Sequence, residues 1–257
     1  MFQKKSLGQN FLKNPGIISD IVAASKVSPD DIVLEIGPGQ GILTRELLIK
    51  TKKVIAVEKD DRLISYLQER FHSEIQAGKF EIMHADILDF DLDSALGDKP
   101  YKIVANIPYY ITGQVIRKFL ETNNQPVSMT LLLQKEVAER LVAKDGKESL
   151  LSISVKVYGK PKYVRTVARG NFRPIPKVDS AILSVENITK SLFSDVDRDK
   201  FFEILKKGFA HKRKLLASNL EIPKAKRSFF FKAIDINEQT RPEDLTVVEW
   251  KKVVSHL

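Results

Sequence analysis

Four consecutive residues, Asn106-Ile107-Pro108-Tyr109, carry the densest chemistry in the chain. The Asn amide offers a carbonyl acceptor. Proline fixes φ and lacks an N–H, so neighbouring backbone carbonyls can turn towards a ligand. Tyrosine offers a flat face to a planar ring. Together these parts can grip a flat heterocycle by an exocyclic amino group. A strand-ending turn with a buried tyrosine explains the same four residues equally well, so the surrounding elements must decide.

The stretch before this turn, Tyr101-Lys102-Ile103-Val104-Ala105, reads as a buried strand. Similar apolar runs recur at Ile32–Ile36, Val54–Val57, Phe80–Met83 and Val127–Leu133. Amphipathic stretches at 42–49, 62–71 and 135–143 separate several of them and read as helices. Such alternation, with nearly continuous apolar strands, predicts an α/β fold with a parallel sheet covered on both faces. Residues 150–158 suit either a strand or another covering helix. Residues 164–168 and 181–185 are expected to close the sheet as a hairpin, with 171–180 as its loop. Beyond Asn187 the pattern becomes helical: Phe201, Phe202, Leu205, Phe209 and Leu216 recur at helical spacing, and 245–257 fits a last amphipathic helix. Two domains are expected, 1–187 and 188–257.

A chain of 257 residues, 43% hydrophobic and 29% charged, belongs with soluble globular proteins. No apolar run is long enough to span a bilayer, and the first residues lack the apolar core of a signal peptide. With no cysteine, a disulfide, a thiolate metal site and a cysteine nucleophile are all excluded. No membrane, no metal and a cytoplasmic location are the expectations. The net charge is +9, with an isoelectric point near 9.5. Between Lys200 and Lys232 stand ten Lys/Arg against two acids, Glu203 and Glu221, which is nearly the whole excess. So lopsided a run points to a phosphate-binding surface, most simply for nucleic acid.

Between the first strand and the first helix lies Glu35-Ile36-Gly37-Pro38-Gly39-Gln40-Gly41. Gly37, Gly39 and Gly41 permit a tight turn and close backbone approach to a ligand. Glu58 ends the second strand, where it can accept from both ribose hydroxyls, and Asp86 ends the third, where it can bond an adenine amino group. A dinucleotide and S-adenosylmethionine both contain these parts. The spacing is Gly-x-Gly-x-Gly, and the acid Glu35 suits a cationic amino acid moiety better than a pyrophosphate. Both points favour S-adenosylmethionine.

This set resembles the class I, S-adenosylmethionine-dependent rRNA adenine dimethyltransferases of the KsgA/RsmA type. The likeness covers nearly the whole chain. It includes the N-terminal motif Lys5-Ser6-Leu7-Gly8-Gln9-Asn10-Phe11-Leu12, the loop Asn171–Ser180 (similar to Phe-x-Pro-x-Pro-x-Val-x-Ser), and the basic stretch Phe209–Leu220, expected to be helical. Tyr110 and Gly113 depart from the commoner Asn and Thr. The resemblance implies a Rossmann-like, mainly parallel seven-stranded sheet plus a small all-α C-terminal domain that recognises RNA. It also implies that Asn10 and Leu12 close over the cofactor, that Gly37 meets its amino acid end, and that Asn106 lies between cofactor and substrate. Phe172 is expected to stack on the base with Tyr109. Lys206, Lys207, Lys212, Arg213 and Lys214 are the expected RNA contacts. The implied partner is 16S rRNA in the immature small subunit; a monomer is expected. The readings weighed against this are an Erm-type 23S rRNA methyltransferase, an RNA-binding assembly factor with incidental catalysis, and a DNA adenine methyltransferase.

Overall fold

The structure is a computed structural model that describes residues 10–257. Its strands are β1 (Phe11–Leu12), β2 (Ile32–Ile36), β3 (Lys53–Glu58), β4 (Phe80–His84), β5 (Lys102–Asn106), β6 (Ser128–Gln134), β7 (Lys160–Val167), β8 (Phe172–Arg173) and β9 (Ser180–Glu186). Seven of them form one sheet in the order β4-β3-β2-β5-β6-β9-β7. The first five run parallel, and β9 is antiparallel to both of its neighbours. The central strands are mostly aliphatic because helices cover both faces, with Glu35 and Thr130 as buried polar exceptions. Val33, Leu34, Val54, Ile103, Val104 and Leu131 are all buried.

The apolar runs of the sequence fall on these strands, and the helices Ile42–Lys50, Asp61–Arg70 and Lys135–Val142 fall where periodicity places them. The ambiguous segment 150–158 contains a helix, Leu150–Lys156, started by a capping box in which Ser149 and Ser152 satisfy each other's backbone N–H. Two further helices stand outside the segments assigned above. Pro15–Ser25 begins at Asn14, whose side chain accepts from the Gly16 N–H. Thr112–Glu121 follows the Asn-Ile-Pro-Tyr turn directly. The hairpin β7–β9 forms as expected, and its loop adds the short strand β8, which pairs antiparallel with β1.

Packing groups the described residues up to Ala138 together with Lys160–Ile188, and separately groups Glu139–Gly159 with Thr189–Leu257. The helix Leu150–Lys156 therefore packs with the C-terminal helices although hairpin strands follow it in the chain. That second unit holds the helices Arg198–Gly208, Leu216–Asn219, Lys224–Ile234 and Val247–His256. They pack around Trp250, which is fully buried and stacks on Phe209 with ring centroids 5.5 Å apart. Gly208 is required here: a Cβ on it would lie 2.3 Å from the Trp250 ring.

One expectation fails in this unit. The basic stretch 209–215 is not helical but turns between two helices. His211 to Lys214 are all exposed, so no apolar stripe holds them to the core as a helix would need. The turn is closed by the Lys214 N–H donating to the His211 carbonyl at 3.0 Å. The Asn219 amide donates to that same carbonyl at 3.2 Å. Among the described residues no helix is long and apolar enough to cross a membrane.

Candidate active site

Strand order reverses beside β2: the chain runs outward to β3 and β4 on one side, and to β5 and β6 on the other. Open α/β sheets bind ligands at the carboxyl ends of strands around such a point. A cavity of about 320 Å³ lies there, lined by Asn10, Leu12, Glu35, Gly37, Gly39, Glu58, Asp86 and the whole Asn106–Tyr109 turn. Residues spread over nearly a hundred positions of sequence thus share one wall.

The glycine loop earns its glycines by left-handed backbone at Gly37, Gly39 and Gly41, with φ of 65°, 59° and 74°. Their roles differ. Nothing lies within 4 Å of a Cβ built on Gly37, so its open side faces the cavity. At Gly39 a Cβ would come within 3.0 Å of the Phe11 ring, which lies over the loop. At Gly41 it would meet Phe71 at 2.5 Å and Leu67 at 2.9 Å. Gly41 does not line the cavity. Its expected ligand contact is therefore corrected: it lets the helix Asp61–Arg70 and the residue after it pack against the loop.

The three strand-end acids stand in contrasting environments. Glu35 is 1% exposed, and its Oε2 has no hydrogen-bond partner within the protein. Burial, reinforced by the charge of Glu58, pushes its carboxyl up to about 8. Glu58 accepts from the backbone N–H of Asp60 at 2.9 Å and of Gly39 at 3.3 Å. Burial again outweighs those bonds and raises its pKa. Asp86 behaves oppositely. Lys59 Nζ donates to Oδ2 at 2.6 Å and the Leu88 N–H to Oδ1 at 3.0 Å, and this pairing with Lys59 holds the carboxyl below its usual range. Lys118 then secures the loop after Asp86 by donating to the carbonyls of Leu88 (2.9 Å) and Phe90 (2.7 Å).

Asn106 ends β5 half-buried. Its Nδ2 donates to the Asn10 backbone carbonyl at 3.2 Å, which leaves Oδ1 as the acceptor. In the next turn the Pro108 carbonyl accepts the Ile111 N–H at 3.2 Å; Ile107 and Pro108 both line the cavity. Tyr109 is fixed by a 2.6 Å hydrogen bond between its hydroxyl and that of Ser180, a fully buried residue of β9.

Phe172 is a second correction. Its ring is fully buried in the hydrophobic core beside Leu12 and does not line the cavity. Pairing of β8 with β1 sets Leu12 opposite Phe172 and Phe11 opposite Arg173, so strand alternation turns Phe172 inward. Asn10 and Leu12 reach the cavity, while Lys5 to Gln9 of the same motif lie outside the described residues. Lys206, Lys207, Lys212, Arg213 and Lys214 are exposed in the C-terminal unit, Lys207 in an ion pair with Glu203 at 2.8 Å. Sequence reasoning missed Lys59, Lys118 and Ser180. Lys59 had a signal in its place next to Glu58, and Ser180 in its place at the end of the Asn171–Ser180 loop motif.

The donor set suits S-adenosylmethionine. The unpartnered Oε2 of buried Glu35 and the open face of Gly37 favour a cationic amino acid end. Among the described residues the one lysine on the lining, Lys59, is already paired with Asp86. Among the described residues no three His, Asp or Glu are placed to hold a metal.

Comparison with known proteins agrees with this geometry. The family of ribosomal RNA adenine dimethylases matches residues 2–257. Ribosomal RNA small subunit methyltransferase A of Dehalococcoides mccartyi (strain CBDB1) is 43% identical, over 97% of this chain and 87% of that protein. The protein of the same name from Fusobacterium nucleatum is 36% identical over 98% and 96%. Among solved structures, a dimethyladenosine transferase from Plasmodium falciparum is 30% identical, with a TM-score of 0.78 and 95% of each chain covered. The 23S rRNA methyltransferase ErmE is 25% identical, with a TM-score of 0.79 over 96% of this chain and 99% of that one.

Proposed function

The chain belongs to the ribosomal RNA adenine dimethylase family, and from that premise we propose that it dimethylates N6 of two adjacent adenines near the 3′ end of 16S rRNA. The substrate in this proposal is the small subunit during its maturation, and the enzyme is a cytoplasmic monomer that uses no metal. The observation that carries the reading is the Asn106 amide, anchored through Nδ2 to Asn10 so that Oδ1 is the acceptor, in the cavity that also gathers Glu35, Glu58 and Asp86.

S-adenosylmethionine, held by Glu35, Gly37, Glu58 and Asp86, supplies an electrophilic methyl on a sulfonium. The remaining work falls to the protein. Adenine N6 is a poor nucleophile because its lone pair is delocalised into the ring. Asn106 Oδ1 and the Ile107 carbonyl accept its two hydrogens and favour a pyramidal nitrogen with a localised lone pair. The Pro108 carbonyl is already engaged by Ile111, which makes Ile107 the better second acceptor. The same two dipoles stabilise the positive charge that develops on N6. Tyr109, steadied by Ser180, stacks on the ring, a contact worth roughly 1–3 kcal/mol. Alignment of the nitrogen with the methyl supplies the proximity term. No histidine or cysteine base is required, since the N6 proton becomes strongly acidic once a methyl is added and leaves to water. A second round proceeds with one hydrogen left to bond, so one of the two acceptors releases its partner.

The target adenine must leave its stack, which is least costly in an RNA loop. Exposed Lys212, Arg213 and Lys214 supply phosphate contacts. The likeness to ErmE keeps large-subunit RNA as a second reading, although the relatives at 36–43% identity carry a small-subunit name. Incubation with labelled S-adenosylmethionine and undermethylated small subunits, large subunits or duplex DNA separates these readings. Label is expected on adjacent adenines of small-subunit RNA. Label on large subunits or DNA alone would overturn the proposal.

A further inference from the structure

Phe229 is 82% exposed, the most exposed large hydrophobic side chain among the described residues. It sits mid-way along the helix Lys224–Ile234, whose opposite side buries Phe231 and Ile234. Helical spacing places Ala225 and Ala233 one turn before and after it, and Lys226 and Lys232 on its two flanks. All four are exposed. The alanines are too short to cover the ring, so a flat aromatic face lies open between two ammonium groups.

The charge arrangement on this helix is also unfavourable by itself. The first turn carries no acid but holds Lys224, Lys226 and Arg227 at the positive end of the helix dipole, where cations destabilise. Arg227 is used locally, its Nε donating to the Ile222 carbonyl at 2.9 Å. Lys224 and Lys226 are exposed. A solvated structural helix gains nothing from these cations or from an uncovered phenylalanine.

We infer that Phe229, flanked by Lys226 and Lys232, is a stacking platform for an unpaired base of RNA, with the two lysines on the adjoining phosphates. The inference rests on the reading of RNA as the partner and adds a contact separate from the basic turn at His211–Lys214. The occupant follows from size and charge. One ring bordered by alanines and lysines matches a single base between phosphates. A lipid surface or an apolar protein face would ask for a broader stripe, and the residues one turn away from Phe229 are Ala and Lys only.

The test uses the full chain, a stem–loop RNA with an unpaired loop, and a fully paired duplex of the same length. Phe229→Ala is expected to weaken binding of the stem–loop roughly 5- to 100-fold, with little change for the duplex and an unchanged salt slope. Lys226→Gln with Lys232→Gln is expected to lower the salt slope by about 1.4. Phe229→Trp keeps the platform and adds an exposed fluorophore, since Trp250 is buried. Its emission is expected to be quenched by the stem–loop and not by the duplex. Equal affinity of wild type and Phe229→Ala for the stem–loop, in a protein that still methylates small subunits, overturns the platform alone. Failure of wild type to methylate any rRNA overturns the functional reading instead. Loss of self-association in Phe229→Ala, without loss of RNA affinity, would assign the face to a second copy and also overturn the platform.

Discussion

Glu35 and Glu58 lie almost wholly out of water, whereas Lys212, Arg213 and Lys214 are exposed to it. In the cavity, burial sets protonation: both glutamates are pushed up, and Glu35 reaches about 8. In the basic turn no burial acts, and charge works over a Debye length instead. The cavity therefore acts by geometry over ångströms and is insensitive to salt. The basic turn acts by attraction over about 10 Å and is screened by salt. One region is built for the chemical step and the other for holding a polyanion, and perturbations should separate along that line.

The largest effect is expected in the cavity. Asn106→Ala removes the acceptor aimed at N6 and should lower the transfer rate by about 10²–10³ or more, while RNA affinity stays within a few-fold. A parallel loss of RNA binding would mean that the two regions are not separable. Next comes the basic turn. Replacing Lys212, Arg213 and Lys214 with Gln should reduce the salt slope of RNA affinity by about 2, with the rate on saturating RNA nearly unchanged. An unchanged slope would remove the turn from the interface.

Glu35 sharpens the comparison through pH. The folded chain keeps a proton on Glu35 that the unfolded chain gives up above 4.5. The stability this group contributes is thus complete below about 4.5 and is lost as pH rises through about 8. Denaturation of the ligand-free protein should show stability declining across that window, and Glu35→Gln should flatten the decline. The same slope in the variant would show that Glu35 does not hold the proton. The smallest effect is expected at Ser180. Ser180→Ala removes the hydrogen bond to Tyr109 and should lower kcat/KM about five-fold, the size of one ordinary hydrogen bond, without altering the salt slope. Full activity in the variant would free Tyr109 from dependence on this bond.

Much of the cavity was legible in the chain because its parts are local. A glycine loop between strand and helix, acids at Glu35, Glu58 and Asp86, and Asn106–Tyr109 after an apolar run are all patterns of a few residues. Strand periodicity alone puts their ends on one edge of a parallel sheet. Helix Pro15–Ser25 escaped because its signal is an Asn cap with a proline behind it rather than a clear amphipathic period. The basic stretch 209–215 was misread because its composition suits a helix, while its lack of a buried face does not.

What only the tertiary structure decided are relations across long separations. Lys59 reaches Asp86 27 positions away, Tyr109 reaches Ser180 across 71, and Asn106 reaches Asn10 across 96. The inward turn of Phe172 and the packing role of Gly41 depend on neighbours, β1 and Phe71, that no spacing within their own segments reveals. Residue type and local period determine which groups arrive at the sheet's edge. Their pairing, protonation and exposure depend on distance and dielectric, which exist only once the chain is packed.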